Sequence, residues 1–360
     1  MGIKLFIVAV VFCSLALSAA GQRTRTPDCL AKLPDGRVGG HCIPVRQCDF
    51  FMKILEAGNV SDSDRILLRE NQCDILNQDI QACCPSTVGL GALNHPLLPR
   101  DCGRVKWQRN NQTETTIREY PWLALIEFTK QNNEKIHACG GVLISQRYLL
   151  TAAHCIHSSN WTLSGVRVGE WDTSTNPDCQ VSSDRSMQVD CAPTYQDIAV
   201  EEVIVHPLYQ KNSFNQTNDI ALIRLGALAQ LNDFVQPICL PNKQLRADEL
   251  EGLVTEVGGW QAKTSTRMRK SQVIITSLRD CQEKYSVYHL NIQPSQLCGK
   301  ANANECHGNS GGPLMLYKND AYLLGGLLSF GPVPCPSAGW PDVFTRVASY
   351  IEWIHSKLRA

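Results

Sequence analysis

The stretch Glu305-Cys306-His307-Gly308-Asn309-Ser310-Gly311-Gly312-Pro313 decides the fold. A serine among glycines, close behind a cysteine, suits a nucleophile on a tight loop. Glycine lets the backbone turn sharply and aim its N–H groups at a reacting carbonyl. Alone, the stretch reads equally well as an ordinary loop. Two other stretches change that. Thr151-Ala152-Ala153-His154-Cys155 offers a base, and Asn218-Asp219-Ile220-Ala221-Leu222 offers an acid for a buried position. A serine hydroxyl is a poor nucleophile until a base takes its proton, and a carboxylate holds that base in the right tautomer. A core histidine and a turn carboxylate are ordinary explanations one at a time. His154, Asp219 and Ser310 in that chain order are one of the three orders in which such triads recur.

The rest of the composition suits a chain exported to an oxidising compartment. Thirty-four basic and 34 acidic residues leave no electrostatic footprint for nucleic acid or an anionic membrane. Seventeen cysteines in 360 residues exceed cytosolic usage. Lys4 precedes an apolar run over 5–17, and Ser18-Ala19-Ala20-Gly21 supplies small residues for cleavage, so 1–21 reads as a signal peptide. The run is shorter than the roughly 20 residues that cross a bilayer. Cys13 would leave with it, and the sixteen remaining cysteines allow full pairing.

Residues 29–84 form a separate block holding Cys29, Cys42, Cys48, Cys73, Cys83 and Cys84, with Pro34-Asp35-Gly36 and Gly39-Gly40 as turn signals. So small a block buries little apolar surface and depends on disulfides. Six cysteines allow fifteen pairings, and physics alone does not choose. Short helices are expected over 50–55 and 64–71. A zinc site would need Cys-x-x-Cys spacing, which is missing. The spacing, ending in Cys83-Cys84-Pro85, resembles the clip domain that precedes arthropod serine proteases. That resemblance implies Cys29–Cys83, Cys42–Cys73 and Cys48–Cys84, and a docking or regulatory role toward another protein. Residues 85–101, rich in Pro, Gly and small side chains, read as a linker.

Beyond it, short β-rich runs at 122–128, 141–145, 148–152, 203–206, 220–225, 254–260, 273–277, 322–330 and 343–347 predict an all-β barrel or sandwich. Only 348–358 reads as an amphipathic helix. Residues 102–360 resemble the chymotrypsin (trypsin-like) serine protease family through the three stretches quoted above. The resemblance implies two six-stranded barrels with the site between them, and His154, Asp219 and Ser310 as base, orienting acid and nucleophile. It assigns the oxyanion hole to the N–H groups of Gly308 and Ser310. It further implies Cys102–Cys239, Cys139–Cys155, Cys281–Cys298 and Cys306–Cys335, with Cys179–Cys191 as an extra loop bridge. Asn59, Asn111, Asn160 and Asn215 head glycosylation sequons.

The chain departs from the family in its specificity pocket. Trypsin-like members carry Asp six residues before the serine; here the residue is Asn304. Gly339-Trp340-Pro341, usually followed by Gly, is followed by Asp342. A carboxylate has left one wall and arrived on another, which implies either a retained preference for basic side chains or a partly blocked pocket. Ser329 and Gly331 resemble the backbone rung that pairs with an extended substrate. No cofactor is expected. Glu170 and Asp172 resemble residues near a calcium loop in some relatives, and otherwise read as solvated carboxylates.

The activation segment departs as well. Relatives are cut before Ile-Val-Gly-Gly, and the freed ammonium pairs with an Asp beside the nucleophile. Counting back from Glu119-Tyr120-Pro121-Trp122 places Arg109-Asn110-Asn111-Gln112 in that segment, preceded by Gln108. Asn309 stands at the Asp position. Arg109 suits no apolar pocket, and a buried ammonium without a counter-charge costs several kcal/mol. The expected function is a secreted serine endopeptidase of an extracellular immune cascade, acting on protein substrates or other proteases. The alternative is a weakly active or inactive homologue that serves as a binding cofactor.

Overall fold

The computed structural model describes residues 29–33, 36–56, 60–76, 79–85, 95–105, 112–156, 161–181, 189–260, 265–301, 309–318, 320–332 and 339–360. Residues 1–21, expected to be a signal peptide, lie outside them, and so do Cys306 and Cys335. The chain divides into two units between residues 86 and 87.

The first unit is a four-stranded antiparallel sheet carrying two helices. In chain order it runs β1 (Cys29–Leu33), β2 (Gly36–Pro44), α1 (Asp49–Glu56), α2 (Asp62–Glu70), β3 (Gln72–Leu76) and β4 (Asp79–Pro85). The sheet order is β1-β2-β4-β3. Its core is small, centred on Cys48, Phe51 and Ala82. The bonds Cys29–Cys83, Cys42–Cys73 and Cys48–Cys84 supply what so small a core cannot. Ser61 and Asp64 form a capping box that starts α2. Gly39-Gly40, expected to turn, instead lies within β2, paired with Leu30 and Cys29. Ladder pairing and the adjacent disulfide outweigh the local preference of glycine for turns.

The second unit contains two closed barrels. The first is built from β5 (Leu123–Lys130), β6 (Lys135–Ser145), β7 (Tyr148–Thr151), β8 (Trp161–Val168), and two later strands. A one-turn helix α3 (Ala153–Ile156) follows β7, and a small hairpin, β9 (Cys179–Val181) with β10 (Val189–Cys191), follows β8. Then β11 (Gln196–Val205) and β12 (Ala221–Leu225) close the ring in the order β11-β12-β7-β6-β5-β8. The second barrel uses β13 (Val254–Gly259), β14 (Arg269–Thr276), β15 (Gln296–Ala301), β16 (Pro313–Lys318), β17 (Ala321–Phe330) and β18 (Asp342–Arg346), in the order β13-β14-β15-β18-β17-β16. Every strand of a closed barrel has two neighbours, so neither barrel has an open edge. The bonds Cys102–Cys239, Cys139–Cys155, Cys179–Cys191 and Cys281–Cys298 are present.

Two helical details differ from expectation. α4 (Leu278–Ser286), absent from the sequence reading, starts at Ser277, whose hydroxyl accepts the Asp280 N–H, and it buries Cys281 and Tyr285. The closing helix begins as a 3-10 turn over Val347–Tyr350 before α5 (Ile351–Lys357).

Buried polar groups clasp the barrels together. Lys270 of β14 reaches Glu119, just ahead of β5, and both side chains are nearly inaccessible. Tyr120 and Tyr322 both donate to Glu256 of β13, at 3.0 and 2.7 Å. Trp122 packs against both tyrosine rings. Burial raises the Glu119 pKa, and the Lys270 hydrogen bond opposes that rise. We expect Lys270→Met to cost about 3–5 kcal/mol, because it removes the partner of a buried carboxylate. Adding Glu119→Gln should recover part of the loss. Urea denaturation measures both, and a loss under about 1 kcal/mol would demote the pair to a surface-like contact.

Candidate active site

β7 ends at Thr151, and α3 begins two residues later, which sets His154 at the rim of the first barrel. The Cys139–Cys155 bond ties that helix to β6. Asp219 sits just before β12, after the left-handed turn residue Asn218 (φ 58°), and is fully buried. A buried carboxylate must collect donors, and Asp219 has three. Its Oδ1 accepts the His154 main-chain N–H at 2.8 Å. Its Oδ2 lies 2.8 Å from His154 Nδ1 and accepts the Ser329 hydroxyl at 2.5 Å. The Thr345 hydroxyl donates to the Asp219 carbonyl at 2.8 Å. An acceptor at Nδ1 draws the ring proton there and leaves Nε2 as the basic nitrogen.

The turn Asn309–Gly312 is wedged against the strand that leads to His154. The Ser310 carbonyl accepts the Gly140 N–H at 2.9 Å, and the Gly311 N–H donates to Leu328 at 2.8 Å. Gly311 has φ +78°, and a Cβ there would stand 2.3 Å from Thr151 Oγ1 and 2.7 Å from the Gly140 carbonyl. Only glycine fits so close an approach. His154, Asp219 and Ser329 are therefore in hydrogen-bonding contact, with the Ser310 turn packed on the two residues ahead of the histidine's helix.

Other expected site residues are distributed unevenly. Asn304 and Gly308 lie outside the described residues, as do Asn59, Asn111 and Asn160. Asn215 is described: its side-chain oxygen accepts the Asn291 N–H at 2.9 Å. Asp342 is buried, with its carboxylate against the Gly331 backbone; a Cβ on Gly331 would lie 2.0 Å from Asp342 Oδ1. A bulge between Leu328 and Phe330 takes Ser329 out of the β17–β18 ladder. Cys139, His154 and Cys155 place donor atoms within 4.8 Å, but the two sulfurs are bonded to each other and offer no thiolate.

The acidic loop differs from its sequence reading. Asp172 is occupied by the Ser174 hydroxyl at 2.5 Å and by Arg267 at 3.0 Å. Burial opposes its ionisation, yet these hydrogen bonds hold its pKa at about 2. The carboxyl that meets Glu170 is that of Asp178; the two share the Trp171 N–H at 3.0 and 2.8 Å. Burial, then the Asp178 charge, push Glu170 up to about 7, against the pull of Arg167. Both carboxyls are occupied by protein donors: Glu170 also by Arg167 at 3.2 Å, and Asp178 by the Asp172 N–H at 2.9 Å and the Thr175 hydroxyl at 2.5 Å. Sequence reasoning missed Asp178, Thr345 and Gly140. Thr345 and Gly140 act only through contacts between distant strands, while Asp178 lies eight residues beyond Glu170 on one short loop.

Comparisons with known proteins agree with this fold. The family model "Trypsin" matches residues 109–354, and "Regulatory CLIP domain of proteinases" matches 32–84. Serine protease ea of Drosophila melanogaster is 38% identical, covering 99% of this chain and 100% of that protein. Melanization protease 1 of the same organism is 38% identical over 93% of each chain. The crystal structure of the Drosophila Grass clip serine protease of the Toll pathway aligns with a TM-score of 0.63 at 27% identity, covering 92% of this chain and 97% of that one.

Glu170 generates a prediction. Its folded value lies above the ordinary 4.5. Folding therefore takes up a proton between about 4.5 and 7, and that contribution is full below 4.5 and lost as pH rises through 7. In metal-free buffer, denaturation from pH 5 to 8 should show the unmodified chain losing up to about 3 kcal/mol relative to Glu170→Gln. Parallel pH curves for the two proteins would count against it.

Proposed function

The chain belongs to the trypsin family of serine proteases, with a regulatory clip domain ahead of the protease domain, and from that premise we propose a secreted serine endopeptidase acting on protein substrates in an extracellular cascade. It is homologous to insect melanisation and Toll-cascade proteases, as the names of its relatives indicate. The observation that carries the proposal is the buried Asp219, which grips His154 twice while the Ser310 turn packs on Thr151 and Ala152. Ser310 attacks the peptide carbonyl as His154 Nε2 takes its proton. His154 then returns that proton to the leaving amine, and water repeats the sequence on the acyl-enzyme. Asp219 stabilises the imidazolium, and the N–H groups of Gly308 and Ser310 hold the oxyanion. Export uses segment 1–21, and the clip block over 29–84 docks a protein. Asp342, buried against Gly331, supplies the charge of the specificity pocket and a preference for basic side chains.

A second reading, a binding cofactor on a protease scaffold, is favoured by Asn304, Asn309 and Arg109. The count back from Trp122 puts the activation terminus at Arg109. With Arg109 there and a neutral Asn309 as its partner, cleavage within 100–112 does not switch the protease on by the family route. A cut after Arg104 frees Val105, four residues early and without the glycines.

Labelling of the secreted protein with a fluorophosphonate, before and after trypsin treatment, tests both readings. Labelling abolished by Ser310→Ala supports the enzyme; none in either state supports the scaffold. We expect Asn309→Asp alone to give no activatable zymogen, and Asn309→Asp with Arg at 108 and Ile-Val-Gly-Gly at 109–112 to give one. A large gain for the unmodified protein on cutting, with a new terminus at Val105 or Asn110, would overturn this account of activation. In a peptide library, a clear preference for Phe or Leu would refute the role given to Asp342.

A further inference from the structure

The Ser310 turn is tied to the first barrel by more than its own glycines. Trp260 follows β13 and is buried. Its main-chain N–H donates to Asn309 Oδ1 at 2.7 Å. That donor also fixes which way the Asn309 amide faces, because only the oxygen can accept. The Trp260 indole N–H donates to the Trp171 carbonyl at 3.1 Å. Trp171 is buried in turn; its indole N–H reaches Thr115 at 3.1 Å, and its main-chain N–H is held by Glu170 and Asp178. Buried donors of this kind are costly to leave unmade, so each link holds the next. Asn309 is also fixed from the other side: its carbonyl accepts the Gly312 N–H at 2.8 Å, and its Cβ lies 3.1 Å from where a Gly140 side chain would start.

We infer that Trp260 and Asn309 are positioning residues, forming an uncharged strut from Trp171 that sets the Ser310 turn. The inference rests on Ser310 being the nucleophile. The two hydrogen bonds that run from Trp171 to Asn309 join neutral groups, and carboxyls enter only at the far end, on the Trp171 main-chain N–H, so the turn is set without an ammonium delivered by chain cleavage. Displacing a nucleophile by about 1 Å costs on the order of a hundredfold in rate while leaving substrate contacts intact. Loss of a strut member should therefore lower kcat rather than raise KM.

The test uses the full chain and two readouts. Hydrogen exchange of the peptide spanning Trp260 reports the strut without requiring activity. Asn309→Ala should speed exchange of the Trp260 amide, Asn309→Asp should restore protection by returning an acceptor oxygen, and first-barrel peptides other than the one spanning Gly140 should stay unchanged as a check on folding. Fluorophosphonate labelling and amide hydrolysis report positioning. Asn309→Ala should cut kcat and the labelling rate about ten- to a hundredfold with KM within about twofold, and Trp260→Phe, which keeps the main-chain N–H, should do so less. Equal protection of the Trp260 amide in Asn309→Ala overturns the strut, whatever the labelling shows. Faster exchange with an unchanged labelling rate overturns the positioning role. If the unmodified protein does not label, the enzymatic reading fails, and the exchange data alone still decide the strut.

Discussion

A carboxylate with no access to solvent is stable only where donors surround it, and Asp219 is where this protein assembles them. The donors come from both barrels: His154 from the first and the Ser329 hydroxyl of β17 from the second, while Thr345 of β18 holds the Asp219 main-chain carbonyl. Satisfying one buried charge thus fixes the mutual placement of the two barrels along their shared cleft. It also sets the tautomer of the base.

Other buried acids at the barrel junction solve the same problem differently. Glu119 meets Lys270, and Glu256 meets two tyrosine hydroxyls, so each buried acid has a partner of its own. Pairs of this kind add little net stability over apolar packing, but breaking one is expensive, which makes them devices for register. The Ser310 turn is held instead by neutral hydrogen bonds and by close contact at Gly311. In the proposed activation account, that difference matters, because a charged switch at residue 309 has no charge to work with.

How much was legible in the sequence varies with the range of the interaction involved. His154, Asp219 and Ser310 could be singled out because each sits in a short local context of a recognisable kind. α2 announced itself through apolar spacing, and α4 could have been found from Ser277, Asp280 and the buried spacing of Cys281 and Tyr285. Gly39-Gly40 misled because a turn preference is local and weak beside a ladder closed by Cys29–Cys83. Glu170 and Asp172, whose loop position reads as solvated, are instead buried, because Asp172 meets Arg267 and Glu170 lies beside Asp178, contacts that no local pattern shows.

By itself, the sequence determined the all-β class, the disulfide-dependent N-terminal block, and the three residues offered for nucleophilic chemistry. Those properties follow from residue types and short spacings. Only the tertiary structure decided that Ser329 and Thr345 complete the environment of Asp219, that Asp342 presses on Gly331, and that Trp260 links Asn309 to Trp171. These contacts join segments about 11 to 126 residues apart, and the closure of the barrels, not any local pattern, brings their atoms within hydrogen-bonding reach.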